Sequence, residues 1–418
     1  MSHRYLFAAL GLLVPALGAA DWPQFRGPGG LGVAADKSLP VTWSDKSNIA
    51  WKTDLPGPGS SSPIVVGDKI LVTCYSGYGL DQNDPGEPKN LKRHLVCLDR
   101  QGKINWQRDV AAPNIDETPF RGFQALHGYA SSTPVCDGSS VYCFFGAAGV
   151  VAFDLAGKQL WTSSVGAKVH NWGSGTSPVL AGDFVIVNAS AESGALVALD
   201  KKDGSAVWKQ AGMEWSWTTP LLIDVQGRKQ AVVSVYNVLR AFDPKTGKDL
   251  WHCEGLPDYV CPSLTAADDV VFAIGARDNT AIAVRAGGAG DVTATNLLWT
   301  AKRGSNVSSP LHHEGHLYWA HEGRGIVYCA NAKTGKIEYE KRLDPDANRI
   351  YASAFLAGGK IYYVSRNHGT YVIDAKPEFK QIAHNVIASD PSVFNGSPAA
   401  MDGKMLLRSD RRLYCIGN

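Results

Sequence analysis

A phrase built on Ser-x-Pro, then Asp, then Gly and an aromatic residue recurs down the chain every forty-odd residues. A repeat of that length restricts the fold to stacked copies of one supersecondary unit. The proline copies stand at Pro63, Pro134, Pro178, Pro220, Pro262, Pro310 and Pro398. After a first step that carries an insertion, the gaps are 44, 42, 42 and 48 residues, and the last gap of 88 is two times 44. Ala352-Ser353-Ala354 sits where the missing copy belongs, which makes eight units.

The second half of the phrase says what each unit is. Asp154, Gly157 and Trp161 repeat as Asp200, Gly204 and Trp208 and as Asp243, Gly247 and Trp251, and Asp99, Gly102 and Trp106 keep the same Gly-to-Trp spacing. An Asp that bonds its own turn, followed by a Gly able to take positive φ, is the chemistry of a tight strand connection. The flanking runs, such as Phe184-Val185-Ile186-Val187, are short and rich in strand formers, and no window sustains a 3.6-residue period. The expected fold is an all-β, eight-bladed β-propeller of four-stranded blades. The Trp after each Gly opens the outermost strand and wedges against a neighbour. Trp299, Tyr339 and Phe379 take its place in weaker copies.

Ring closure can be read in the same way. The eighth unit begins near Phe394, and only three strand-sized runs follow it, while Ile49-Ala50-Trp51-Lys52 precedes the first unit as an orphan outer strand with its own Trp. Pairing that strand with the C-terminal three completes a blade and leaves no open edge.

The remaining boundaries come from composition. Met1 to Ala20 opens with Arg4, runs apolar and ends Gly-Ala-Ala, which reads as a cleavable signal peptide, interrupted by Pro15 and too short to span a bilayer. Residues 21–47 form an N-terminal arm and 48–418 the propeller. Asp21, not Cys, follows the expected cut, so no lipid anchor is indicated and the protein is expected in the periplasm or secreted. The full chain has 41 basic and 39 acidic residues, and removing Arg4 leaves 40 against 39. That balance gives no electrostatic footprint for nucleic acid or an anionic membrane. A monomer with no membrane span is expected.

Eight cysteines in an exported chain invite a disulfide reading, but Cys97, Cys329 and Cys415 align with Ala152, Ala198 and Ala241 as small buried spacers. Mostly free thiols are expected, Cys74 with Cys97 being the nearest approach to a bridge, with Cys97 placed opposite Val72. His312, His313, His316 and His321 crowd ten residues, but Glu314-Gly315 makes a hairpin turn that sets His313 against His316 and carries His321 away. Two histidines without a third ligand make a poor zinc site. Asp81, Asp84 and Glu87, in the first-blade insertion, miss the spacing of a calcium loop and read as a solvated loop.

The candidate site comes from topology. Loops entering the inner strands and loops joining second to third strands share one face, around the central channel. They bring His127, Trp172 and Trp217 from blades two to four, and Asn306, His321, Arg324, Arg366, His368 and Arg411 from blades six to eight. Stacking surfaces on one side and guanidinium groups on the other suit a planar or sugar-like anionic ligand.

The run Ser-Ser-Pro, then Gly-Asp, then Leu-x-Ala-Leu-Asp, then Thr-Gly and Trp resembles the pyrroloquinoline quinone (PQQ)-like propeller repeat. Ala195 to Trp208 and Leu239 to Trp251 are its best copies. The resemblance covers nearly all of the chain beyond the signal segment, and the opening Trp22-Pro-Gln-Phe-Arg-Gly-Pro is similar to the start of secreted bacterial members. Two activities are implied. One is that of the outer-membrane barrel-assembly propeller lipoprotein, a scaffold without chemistry or cofactor. The other is that of the quinoprotein dehydrogenases, which oxidise alcohols or sugars with PQQ and calcium. Those enzymes typically stack the quinone on a bridge between adjacent cysteines, and this chain has no Cys-Cys. The expectation is therefore an exported binding or scaffold propeller of the cell envelope with no catalytic residue and no cofactor, whose partner is an envelope protein or a small, saccharide-like ligand. The alternative is the PQQ- and calcium-dependent dehydrogenase.

Overall fold

The computed structural model describes residues 21–36, 38–110 and 117–417, so the expected signal peptide lies outside the described residues. Each repeat folds into a sheet of four antiparallel strands in chain order. In the third blade these are Val179–Ala181, Phe184–Ala189, Ala195–Asp200 and Ala206–Ala211, numbered outward from the channel. Eight such sheets make an eight-bladed β-propeller. The eighth is completed by Ile49–Asp54, which pairs antiparallel with Arg412–Ile416 and sets Trp51 opposite Cys415.

The Asp–Gly–Trp phrase is a joint between blades as much as a turn within one. Asp200 Oδ1 accepts from Lys202 N at 2.8 Å and Gly204 takes φ 76°, as the turn requires. Trp161 of the preceding blade lies over that glycine so closely that a Cβ there would stand 2.5 Å from its Cε3. Trp208 covers Gly247, Trp299 covers Gly335 and Trp51 covers Gly102 in the same manner. Each indole N–H then donates to a carbonyl of the following blade's turn, as Trp51 does to Arg100 O at 2.9 Å and Trp161 to Lys201 O at 2.9 Å. The residue paired across from each Trp on the third strand is small: Cys97 faces Trp106, Ala152 faces Trp161 and Ala198 faces Trp208. Room for the indole explains why these cysteines align with alanines.

Three details of register differ from the sequence reading. The fifth copy of the phrase is displaced by two residues: its inner strand, Thr265–Ala267, follows Ser263-Leu264, so Leu264 and not Pro262 holds the proline's place. Cys97 pairs with Leu71 rather than Val72, and Cys74 with His94, which is the register that Ala152 keeps with Tyr142 and Ala198 with Ile186 in the next two blades. All eight cysteines are free. Finally, Gly290–Asp291, from a long connection in the fifth blade, adds a short parallel strand outside the fourth blade and covers its outer edge.

The arm crosses the tight-turn end of the channel. Trp22 exchanges two backbone hydrogen bonds with Val65, Pro23 O accepts from Cys136 N at 2.9 Å, and Gly32 and Ala34 bond Leu356 on the opposite side. Arg26 lies between, fully buried, donating to Leu264 O at 2.9 Å, Leu31 O at 3.1 Å and Pro310 O. Burial without a counter-ion pulls its pKa down to about 9. The channel is thereby closed at one end and becomes a cup.

Candidate functional site

The wall of the cup is built in tiers, one residue per blade. The deeper tier is the hydroxyl residue just before each inner strand's first buried position. Ser62 N donates to Thr133 Oγ1, Thr133 N to Ser177 Oγ, Ser177 N to Thr219 Oγ1 and Thr219 N to Ser263 Oγ, at 2.9–3.0 Å. Ser263 N continues to Ser309 Oγ, Ser353 N to Ser397 Oγ and Ser397 N back to Ser62 Oγ. A belt of Ser and Thr thus satisfies the inner-edge amides that a ring of blades would leave orphaned. This is what the hydroxyl residue directly before the proline of the repeated phrase does. Each linked hydroxyl accepts from a backbone N–H, and among the described residues none of these hydroxyls donates to another group, which leaves their protons for whatever enters the cup.

Two residues earlier on each blade lies the upper tier, where the repeat is not kept. Ser60, Ser131 and Asn395 make one side polar, and Trp217, Cys261 and Val307 make the other apolar. Phe25 of the arm joins the lining, and the enclosed volume is about 230 Å³. The indole of Trp217 packs against Gly175 of the third blade, where a Cβ would meet it in ordinary contact at 3.6 Å.

The mouth is aromatic. Trp172 packs on Trp217 with ring centroids 5.0 Å apart, on Tyr259 at 4.5 Å and on Phe123 at 5.2 Å. Trp217 is fixed by donation from its Nε1 to Gly173 O at 2.8 Å. Trp215, 48% exposed, sits beside Trp172 with φ 59°, an unusual backbone conformation for a bulky residue. The connection between the first two blades leans over the opening. There His127 donates from Nε2 to Trp172 O at 2.7 Å and accepts at Nδ1 from Ser131 Oγ at 2.5 Å. Both ring nitrogens are therefore engaged, and burial holds the imidazole pKa below its ordinary value. Burial also pushes the Cys261 thiol up to about 12, so it is neither a thiolate nor a nucleophile near neutral pH.

Of the residues expected from sequence, His127, Trp172, Trp217 and Asn306 line the cup. Asn306 has a buried Oδ1 without a partner, while its backbone N–H donates to Glu322 Oε2 at 2.9 Å. The other five stand outside the lining. Arg366 is buried behind the wall, donating to Asn395 Oδ1 at 2.7 Å and Leu126 O at 3.0 Å and lying over the Tyr351 ring. It props the wall and offers no charge to the lumen. His321 is buried, with Nδ1 accepting from Gly323 N at 3.1 Å. His368 carries the carbonyl that accepts from His384, and Arg324 and Arg411 are exposed. No Arg, Lys, Asp or Glu side chain lines the cup among the described residues, which removes the ground for expecting an anionic ligand. The belt, Phe25 and the overhanging Phe123 and Leu126 were not foreseen as site residues. The belt had a sequence signal in the hydroxyl that precedes each proline.

His313 pairs with His316, and His312 stacks on Phe272. Among the described residues no three His, Cys, Asp or Glu side chains converge to hold a metal ion, and no helix is long and apolar enough to cross a membrane.

The family described as outer membrane protein assembly factor BamB matches residues 28–167, 86–211 and 146–297. No curated protein sequence matches the chain. BamB from Moraxella catarrhalis is similar in structure over 88% of this chain and 98% of its own, with a TM-score of 0.61 at 13% identity. A europium-containing methanol dehydrogenase is similar over 95% of this chain and 98% of its own, with a TM-score of 0.65 at 11% identity. The quinohemoprotein alcohol dehydrogenase from Comamonas testosteroni is similar over 96% of this chain and 81% of its own, with a TM-score of 0.66 at 12% identity. At these identities the likeness is one of fold, which an assembly factor and dehydrogenases share.

Proposed function

The chain belongs to the family of the outer membrane protein assembly factor BamB, with matches that together run from residue 28 to residue 297, and on that premise we propose that it is an exported, non-catalytic binding propeller of the cell envelope, monomeric, that takes its ligand or partner at the channel face. The observation that carries this reading is the cup itself: closed below by the arm, walled by an uncharged belt and rimmed by aromatics, of which Phe123 and Trp215 are exposed. Its chemistry favours holding over turnover. His127 has both nitrogens occupied, Cys261 remains a thiol, and among the described residues no carboxylate stands in the lining to act as a base.

The group implied by the dehydrogenase likeness fits poorly. A tricarboxylate quinone with calcium calls for cationic side chains against its carboxylates and for carboxylates around the metal. Among the described residues the lining has neither.

Two measurements test the reading. N-terminal sequencing of protein recovered from the periplasmic or secreted fraction should begin at Asp21. Immobilised protein should retain an envelope component that Val307→Trp, which fills the cup, no longer retains, while Lys202→Ala with Asp203→Ala on the tight-turn face retains it unchanged. Loss on the turn-face change in a folded protein, with Val307→Trp silent, would place binding on the other face.

A further inference from the structure

We infer that the cup and the groove beside it bind the terminal rings of a neutral oligosaccharide; the inference rests on the channel-face reading above and names the chemistry of its ligand. Size comes first. At about 230 Å³ the cup is smaller than the roughly 300–1,000 Å³ of pockets that enclose drug-sized molecules, so it takes one ring. A second hollow of about 310 Å³ lies outside it, between Thr118–Phe123 and Asn171-Trp172. Phe123 and Trp172 line both, one hollow on each side of the same aromatic pair. A chain of two or more rings can therefore lie across the rim with its end in the cup.

Polarity selects the kind of ring. The hydroxyl belt presents O–H donors that have no acceptor of their own, each oxygen already accepting one backbone amide, so a guest that brings acceptors to the floor pairs them. The opposite wall, Trp217, Cys261 and Val307, asks for an apolar face. A pyranose ring meets both demands, with hydroxyl and ether oxygens on its edge and C–H groups on its face. An apolar side chain from a protein partner would leave the belt's O–H groups unpaired in a desolvated site. Charge is excluded from the cup by the same bookkeeping, since among the described residues no lining side chain there can pair it, whereas the outer hollow has Arg121 in its lining.

The test is titration of the full mature protein with methyl β-D-glucopyranoside, cellobiose, cellotriose, maltotriose and trigalacturonate, followed by tryptophan fluorescence and calorimetry. N-acetyl-phenylalanine amide serves as the peptide-like probe. The inference expects saturable binding of a neutral saccharide, a disaccharide at least about tenfold tighter than the single ring, equivalent to about 1.4 kcal/mol, and a trigalacturonate weaker than its neutral counterparts. Val307→Trp should abolish binding. Phe123→Ala, a change at a half-exposed ring, should fold normally and erase the gain from the second ring while keeping the first. Absence of saturable binding by every neutral saccharide up to solubility, equal or tighter binding of trigalacturonate, or binding that survives Val307→Trp would each overturn it. If the peptide-like probe binds in their place and is lost in Val307→Trp, the saccharide inference falls and the channel-face reading stands. If that probe binds regardless of the cup, both fall.

Discussion

The joint between blades gives a number that can be checked. Substituting Gly204→Ala imposes two separate costs: an L-residue at φ 76°, and a Cβ 2.5 Å from Cε3 and 2.7 Å from Cδ2 of Trp161, a side chain only 8% exposed. The first costs about 1–2 kcal/mol, and overpacking a buried ring adds about 1–3 kcal/mol, for a sum of about 2–5 kcal/mol. Gly182, in the same blade at φ 62° with nothing within 4 Å of an added Cβ, carries the first cost alone. Urea unfolding should therefore show Gly204→Ala less stable than Gly182→Ala by about 1–3 kcal/mol, with equal m-values. Removing the ring should remove the clash. On a Trp161→Ala background, itself destabilised by about 3–5 kcal/mol, Gly204→Ala should cost no more than Gly182→Ala does. An identical penalty for Gly204→Ala with and without Trp161 would refute the seating of one blade's indole on the next blade's turn.

Three further outcomes are expected. Burial raises the Glu192 carboxyl to about 7 from 4.5, so its contribution to stability is complete below pH 4.5 and is lost as pH rises through 7. Because Ser174 bonds one oxygen, Glu192→Gln should match the wild type in acid and exceed it at pH 8, by up to about 3 kcal/mol in denaturant titrations, and a wild type that gains stability over this range would contradict it. In the belt, Ser177→Ala leaves the Thr133 amide without its acceptor and should lower stability by about 1–3 kcal/mol. Ser177→Thr, which restores the acceptor used at Thr133 and Thr219, should recover it in the same melt. Arg26→Met orphans the carbonyls of Leu264, Leu31 and Pro310, and should speed hydrogen exchange at the Val65 and Cys136 amides that the arm holds, whereas unchanged exchange there would mean that the arm is anchored without Arg26.

Much of the fold was legible because several independent constraints sit in one phrase. Asp and Gly set the turn, Trp needs a small residue across the ladder and a bare glycine on the next blade, and the hydroxyl before the proline caps an inner-edge amide. What misled was the choice of the proline as the anchor. Proline is dispensable at that place, as Leu264 and Ala354 show, and in the fifth copy Pro262 stands two residues early, which produced the uneven 42 and 48 spacing. Anchoring on the hydroxyl instead, from Thr133 through Ser177, Thr219, Ser263, Ser309 and Ser353 to Ser397, gives steps of 44, 42, 44, 46, 44 and 44.

The site was legible only where loop position alone decides it. His127, Trp172, Trp217 and Asn306 could be placed at the channel because the repeat fixes where each inner strand begins, and their side chains reach the lumen. Arg366 was placed equally well, yet its guanidinium is turned to the Leu126 carbonyl, 240 positions away in sequence. Phe25 reaches the cup through an arm anchored to blades one, two and seven, and Phe123 through a connection tied to the third blade by Thr118 and His127. No local pattern announces such contacts. The two tiers of the wall separate these cases physically. The belt repeats because every blade must satisfy the same amide, so changing it costs stability at each joint. The upper tier carries no such duty, is free to be Ser, Gly, Trp, Cys, Val, Tyr or Asn in successive blades, and gives the lumen one polar and one apolar side.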